Sequence, residues 1–250
     1  MGCGCVGAGF RRVDALRKSR RIHTIVTVCK GAESGPREPA VARRTKEDAA
    51  FTREQLLDAA ERVFLERGVA HTSLAEVAAA AGVTRGAVYW HFRDKSDLFD
   101  AMCERARLPL EAMLDRAGTT THVDPLAALR ELAVSALSRL ASDPRAHAVF
   151  EVMFHKCEHA LEMAPADERT RRERRRCLTH VEEVMRQAVA AGQLPADADT
   201  ALATEAMHAY VVGLMNEWVL DPAAWDLAVR GPVLIDLFIA GLRTAPPRKP

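Results

Sequence analysis

The chain has no apolar run near the roughly 18 to 20 residues that a membrane span needs, and it has no excess of charge of either sign. Lys and Arg number 35 against 34 Asp and Glu, a net charge of +1 over 250 residues. The first absence excludes an integral membrane protein. The second removes the global basic excess that would advertise a polyanion partner, so a nucleic-acid reading must rest on a local motif. The six cysteines (Cys3, Cys5, Cys29, Cys103, Cys157 and Cys177) form no CxxC pair and no His/Cys cluster at zinc spacing, so neither a metal nor another cofactor is expected. Cys103, Cys157 and Cys177 fall in apolar helical stretches, where a free thiol acts as a small hydrophobe in a reducing cytoplasm. What remains is 48% hydrophobic and 28% charged, enough to bury a core in one or two domains.

Residues 1–40 carry eight Lys/Arg against three Asp/Glu without sustained periodicity, and are expected to be a disordered extension or the product of a start assigned too far upstream. From Thr52 onward apolar residues recur at three- and four-residue spacing with almost no alternating runs, which predicts an all-α chain. Thr52-Arg53-Glu54-Gln55 reads as a capping box opening a first helix that ends before Gly68. Ser73-Leu74-Ala75-Glu76 opens a second, short helix that stops at Gly82, and Thr84 is the N-cap of a third, Arg85 to about His91. Two short helices joined through Ala80-Ala81-Gly82-Val83-Thr84 have the helix-turn-helix pattern, in which the second helix enters the DNA major groove. Thr72 and Thr84 place hydroxyls where a phosphate would meet them, and Tyr89, His91 and Lys95 can reach the flanking backbone.

Residues 52–99, most strongly Thr72 to Ala78 and Gly82 to Phe99, resemble the DNA-binding domain of TetR-family transcriptional repressors. The likeness continues more loosely to about residue 243, through Met153 to Glu158 and Gly213 to Trp218, and is greatest to the AcrR-like branch, which represses multidrug efflux genes. It implies a three-helix DNA-binding domain at 41–95, a helical ligand-binding and dimerisation domain at 96–244, and a flexible tail at 245–250. It also implies a homodimer on double-stranded, palindromic operator DNA. Arg85, Gly86 and Ala87 would then contact bases, with Tyr89, Trp90, His91, Thr72, Thr84 and Lys95 on the sugar-phosphate backbone. Arg43, Arg44 and Lys46 precede the expected first helix, as an arm that either reaches the DNA or is a solvated basic flank. Residues 41–95 hold nine Lys/Arg and eight Asp/Glu, so affinity must come from where the charges sit.

In the second domain Asp94 caps a connecting helix to about Ala117, with Pro109 expected to bend or break it. Further helices are expected at about 125–141, 144–163, 166–191, 198–220 and 232–243. Residues 202–220 and 233–242 are apolar nearly all round, so part of each is assigned to a subunit contact through the last two helices. The run Arg169, Arg171, Arg172, Arg174, Arg175 and Arg176 reads as a solvated face, because Leu178, Val181, Met185 and Ala188 give that helix a clean inner side. A receptor for a small lipophilic effector needs an apolar cavity with a few orienting polar groups. Phe150, Met153, Phe154, Cys157, Met185, His208, Met215 and Trp218 are the expected lining, with Glu151 or Glu158 to balance a cationic ligand. The segment Arg105-Ala106-Arg107 leaves a preference for cations open. His155, Glu151 and Glu158 share a helix, yet no nucleophile with a partner base appears, so no catalytic residue is assigned. A cytoplasmic regulator of a catabolic or signalling operon remains the alternative to an efflux repressor.

Overall fold

Helices account for nearly all of the regular structure because every apolar face recurs at helical period and nearly every helix start carries a cap. The structure is a computed structural model that describes residues 40–157 and 163–249, and no strand occurs among them. Residues 43–250 form one compact unit. The expectation of a disordered extension, and Glu158, lie outside the described residues.

The helix α1 (Ala40–Arg67) begins well before the expected Thr52. Ala40 to Phe51 holds Ala, Arg, Lys and Glu with neither Gly nor Pro, so nothing stops the helix from extending upstream. Thr52 is therefore interior, and its hydroxyl donates to the Asp48 carbonyl at 2.9 Å instead of capping. Arg43, Arg44 and Lys46 accordingly belong to α1 and not to an arm. Lys46 is exposed, and the side chains of Arg43 and Arg44 lie outside the described residues. Next, α2 (Leu74–Ala80) starts with a complete capping box: Ser73 Oγ accepts from the Glu76 amide, and the Ser73 amide donates to the Glu76 carboxylate at 2.8 Å. The Ser73 amide, and then the Ser73 hydroxyl, which also donates to that carboxylate at 2.8 Å, hold the Glu76 carboxyl below its usual range. The chain reverses at Gly82, whose φ of +70° a side chain would strain. Then α3 (Arg85–His91) follows with Thr84 Oγ1 accepting from the Ala87 amide at 3.2 Å.

Asp94 caps α4 (Lys95–Thr119), which runs unbroken through Pro109, contrary to the expected interruption. After α5 (Pro125–Ser142) comes α6 (Pro144–Glu151). The expected continuous helix to Met163 does not form: α6 passes into a π-helical turn, Val152–Lys156. The chain then continues through α7 (Ala164–Ala190), α8 (Thr200–Leu220) and α9 (Leu227–Thr244). Residues 245–249, expected to be a flexible tail, instead lie along the α7–α8 loop. The Asp199 amide donates to the Pro247 carbonyl at 2.8 Å, and Arg248 pairs with Asp197.

Two apolar clusters form the interior. The first joins Leu56, Leu57, Phe64, Val77, Val88 and Phe92 of the three-helix head to Leu98 and Met102 of α4, to Val149 of α6 and to Val152 of the π turn. The second fills the space between α5, α7, α8 and α9, around Leu129, Leu137, Val184, Met185 and Ile235. Met153, in the π turn, packs against both clusters. Helix α4 also joins them, and at Gly118 it lies close against α7: a Cβ there would lie 2.8 Å from the His180 ring.

Candidate DNA interface and ligand cavity

On α3 only Val88 is fully buried, against Phe64 and the rest of the first cluster. Anchoring the helix by that one residue leaves Arg85 and Gly86 exposed, with Tyr89 49% and Trp90 73% exposed. Ala87 and His91 are half-buried. An exposed tryptophan next to an exposed tyrosine on one short helix is apolar surface with no packing role in the protomer. The Arg85 guanidinium lies 5.6 Å from the centre of the Tyr89 ring, which restrains it over the same face. Trp90 stands edge-on to the His91 ring at 4.6 Å. Burial, then the neighbouring Arg53, lowers the His91 pKa, so near neutral pH this imidazole is an uncharged hydrogen-bonding group. A Cβ at Gly86 would meet only Thr84 Oγ1, at 3.8 Å, so the missing side chain lets a neighbouring backbone approach α3 closely.

Two expected contact residues are placed differently. Thr72 is 3% exposed, and its hydroxyl donates to the Gly68 carbonyl at 2.8 Å. It ties the α1–α2 turn together and is withdrawn from the surface where a phosphate would lie. Lys95, half-buried, donates from Nζ to the Ala70 carbonyl at 3.1 Å and so braces the same turn. Thr84 is exposed and keeps its hydroxyl hydrogen while its oxygen caps α3.

The head is gripped by the bundle at two places. Arg105 of α4 reaches three carboxylates of α1: Glu54 at 2.9 Å, Asp58 at 2.8 Å, and Glu61. From α6, Arg145 adds a second cation on Asp58 at 3.3 Å. In addition the Val69 amide, in the α1–α2 turn, donates to the Lys156 carbonyl at the end of the π turn, at 3.0 Å.

Between α4, α5, α7 and α8, with the end of α6 and the π turn as a wall, lies a cavity of about 580 Å³, ample for a drug-sized molecule. Of the expected lining, Phe150, Met153, Phe154, His208 and Met215 border it. Met185 does not, being wholly buried in the second cluster. Trp218 is buried with its indole N–H donating to the Trp225 carbonyl at 3.1 Å, and Cys157 packs toward the head. Glu151 is also not part of the lining. Besides further apolar residues such as Leu110, Leu114, Leu132 and Met207, sequence reasoning missed a charged wall. Arg107, Glu111 and Asp115 come from α4, and Glu173, Arg174, Arg176 and His180 from α7. The arginine run is therefore not one solvated face: Arg174 and Arg176 border the cavity, and Arg169 pairs with Asp100. Arg176 pairs with Asp115 and lies 3.7 Å from Glu111 and 3.8 Å from Glu173, while Arg107 lies 3.8 Å from Glu111. Burial, then the neighbouring Glu173, raises the Glu111 pKa.

A third surface is apolar and uncovered. Val229, Val233 and Leu237 fall every fourth residue along α9 and are exposed, as are Leu202 and Leu220 of α8. No group of three or more His, Cys, Asp or Glu residues could hold a metal ion, and no helix is long and apolar enough to cross a membrane, among the described residues.

Residues 56–102 match the model for bacterial regulatory proteins of the tetR family, and residues 124–244 match the C-terminal region of MAATS-type transcriptional repressors. The chain is 40% identical over 187 residues to the HTH-type transcriptional regulator AcrR of Shigella flexneri, covering 75% of this chain and 87% of that protein. Among solved structures, NalD, the secondary repressor of the MexAB-OprM multidrug efflux pump in Pseudomonas aeruginosa, matches with a TM-score of 0.72 and 35% identity, over 78% of this chain and 97% of that one. SmeT in complex with triclosan, from Stenotrophomonas maltophilia, matches with a TM-score of 0.69 and 35% identity, over 76% and 91%.

Proposed function

The chain belongs to the tetR family of bacterial regulatory proteins, and from that premise we propose a cytoplasmic, dimeric repressor of a multidrug efflux operon, released from its operator by a small lipophilic effector. The observation that carries the DNA reading is α3, whose one fully buried residue is Val88 and which presents Arg85, Gly86, Tyr89 and Trp90 outward. In this reading Arg85, Gly86 and Ala87 contact bases. Tyr89, Trp90, His91 and Thr84 fix register on the backbone, joined by Lys46 and Arg44 from α1. The α8–α9 apolar stripe is read as the dimer contact, because Val229, Val233 and Leu237 form a seam wide enough for a partner helix. Leu237→Glu is expected to give monomers in size-exclusion chromatography. Efflux control is the target favoured by kinship with AcrR, NalD and SmeT, and the chain acts by binding, with no catalytic step.

The switch follows from α4. Arg107, Leu110, Glu111, Leu114 and Asp115 border the cavity while Arg105, on the same rigid helix, grips α1. An occupant that displaces α4 moves the head, and a dimer whose recognition helices stand about 34 Å apart loses its match to successive major grooves. The coupling is reciprocal, so operator DNA weakens effector binding by the same factor, equivalent to about 1 to 3 kcal/mol.

The test is to incubate the protein with sheared DNA from its own source and sequence the retained fragments. A palindrome upstream of a transporter operon is the expected result. Enrichment beside a metabolic operon would replace the target, and absence of any enriched sequence would refute the DNA reading.

A further inference from the structure

The cavity wall carries three carboxylates and three guanidinium groups, and they are not evenly matched in space. Glu111, Asp115 and Glu173 are all engaged by Arg107 and Arg176 across α4 and α7. A cationic ligand would have to displace an arginine to reach any of them. Arg174 stands apart from this network. It makes no ion pair with a described residue, and it lies three residues before Cys177 on the side of α7 that meets α8. There Cys177 Sγ is 4.0 Å from His208 Nδ1. Burial pushes the Cys177 thiol up to about 11, so it keeps its proton and can donate to Nδ1. Burial, then Arg174, lowers the His208 pKa, so the ring is neutral near pH 7, and when the thiol donates to Nδ1 the ring proton is on Nε2. This side of the cavity therefore offers donors, a guanidinium and an imidazole N–H, above a floor of Phe150, Met153, Phe154 and Met215.

We propose that the cavity selects amphipathic monoanions, an apolar ring or chain carrying one carboxylate, sulfonate or phenolate, with Arg174 as the counter-charge. The proposal rests on the reading of this cavity as the effector site. Each acid on α4 and α7 is already engaged by an arginine, whereas an acid entering tail first meets a guanidinium without breaking an existing pair. Arg supplies a planar two-pronged donor that fits such oxyanions.

Two fluorescent probes separate the charge from the apolar body: 1-anilinonaphthalene-8-sulfonate, and N-phenyl-1-naphthylamine, which lacks only the sulfonate. Each is titrated against the full-length parent, Arg174→Gln, Arg174→Lys and the cavity-filling Ala136→Trp. The expected result is that Arg174→Gln weakens the sulfonate probe about tenfold and the amine probe less than twofold, with most of the affinity kept by Arg174→Lys. Equal weakening of both probes, or of neither, would overturn the assignment to Arg174. The effector-site reading fails separately if Ala136→Trp binds both probes as tightly as the parent does. Failure of the sulfonate probe to bind the parent would overturn the proposal, and failure of both probes would overturn the effector-site reading with it.

Discussion

Replacing Arg105 tests how firmly the ligand-binding bundle holds the DNA-binding head. Its side chain is 18% exposed and meets three carboxylates of α1. Glu54 and Asp58 are substantially exposed, so solvent screening leaves each of those contacts about 0 to 1 kcal/mol. Glu61 is 10% exposed, and a shielded hydrogen bond between charged groups contributes about 1.5 to 3 kcal/mol. Arg105→Met keeps the packing of the stem, removes the charge, and leaves Glu61 shielded without its guanidinium. The expected loss is about 2 to 4 kcal/mol, read as a lower urea midpoint at unchanged slope. A double-mutant cycle with Glu61→Gln should return an interaction energy above about 1 kcal/mol. The same variant should bind operator more weakly and respond less to effector, since α4 has lost its grip on α1. A loss within about 0.5 kcal/mol, ordinary for a surface change, together with an unaltered effector response, would refute the reasoning.

Three further outcomes follow from the same structure. Arg85→Ala should reduce discrimination by about 1 to 3 kcal/mol at one base position of each half-site, measured against single-base operator variants, and a uniform loss at every position would mean that Arg85 contacts only phosphate. Because His208 is held below its ordinary value of 6.5, the unfolded chain gains a proton that the folded chain does not, and stability falls as pH drops below about 6.5. His208→Gln should narrow the difference in melting temperature between about pH 7.5 and about pH 5.5. Gly118→Ala places a methyl group 2.8 Å from the His180 ring and should cost about 1 to 3 kcal/mol by overpacking, with a thermal melt as the measurement.

Much of the head was legible in the sequence because its signals are local. Ser73 with Glu76, Gly82, and Thr84 with the Ala87 amide each act within four residues, and each does in the structure what its spacing implies. The start of α1 was not legible, since a Thr-x-x-Gln pattern caps a helix only when the residues before it leave helical geometry, and Ala40 to Phe51 do not. The end of α6 was missed for a different reason. Val152, Met153 and Phe154 keep the apolar pattern running, while the π turn changes which way they face. At the cavity, the aromatic and Met lining could be read from α6 and α8, but the charged wall depends on Arg176 meeting Asp115 and Glu111 across more than sixty positions. No periodicity within α7 carries that information.

The bond from the Val69 amide to the Lys156 carbonyl bears on the mechanics of the switch. A body attached through one helix can swing in any direction, whereas one also pinned at a second, separate point is confined to pivot about the line joining the two. The head is held by α4 through Arg105 and by the π turn through Lys156, so its freest motion is rotation about that line. Any other displacement must release the Arg105 grip or the Val69–Lys156 hydrogen bond, the latter at a net cost of about 0.5 to 1.5 kcal/mol. That is on the scale of a typical allosteric coupling. Met153 and Phe154 place the ligand's wall in the very turn that carries the pin.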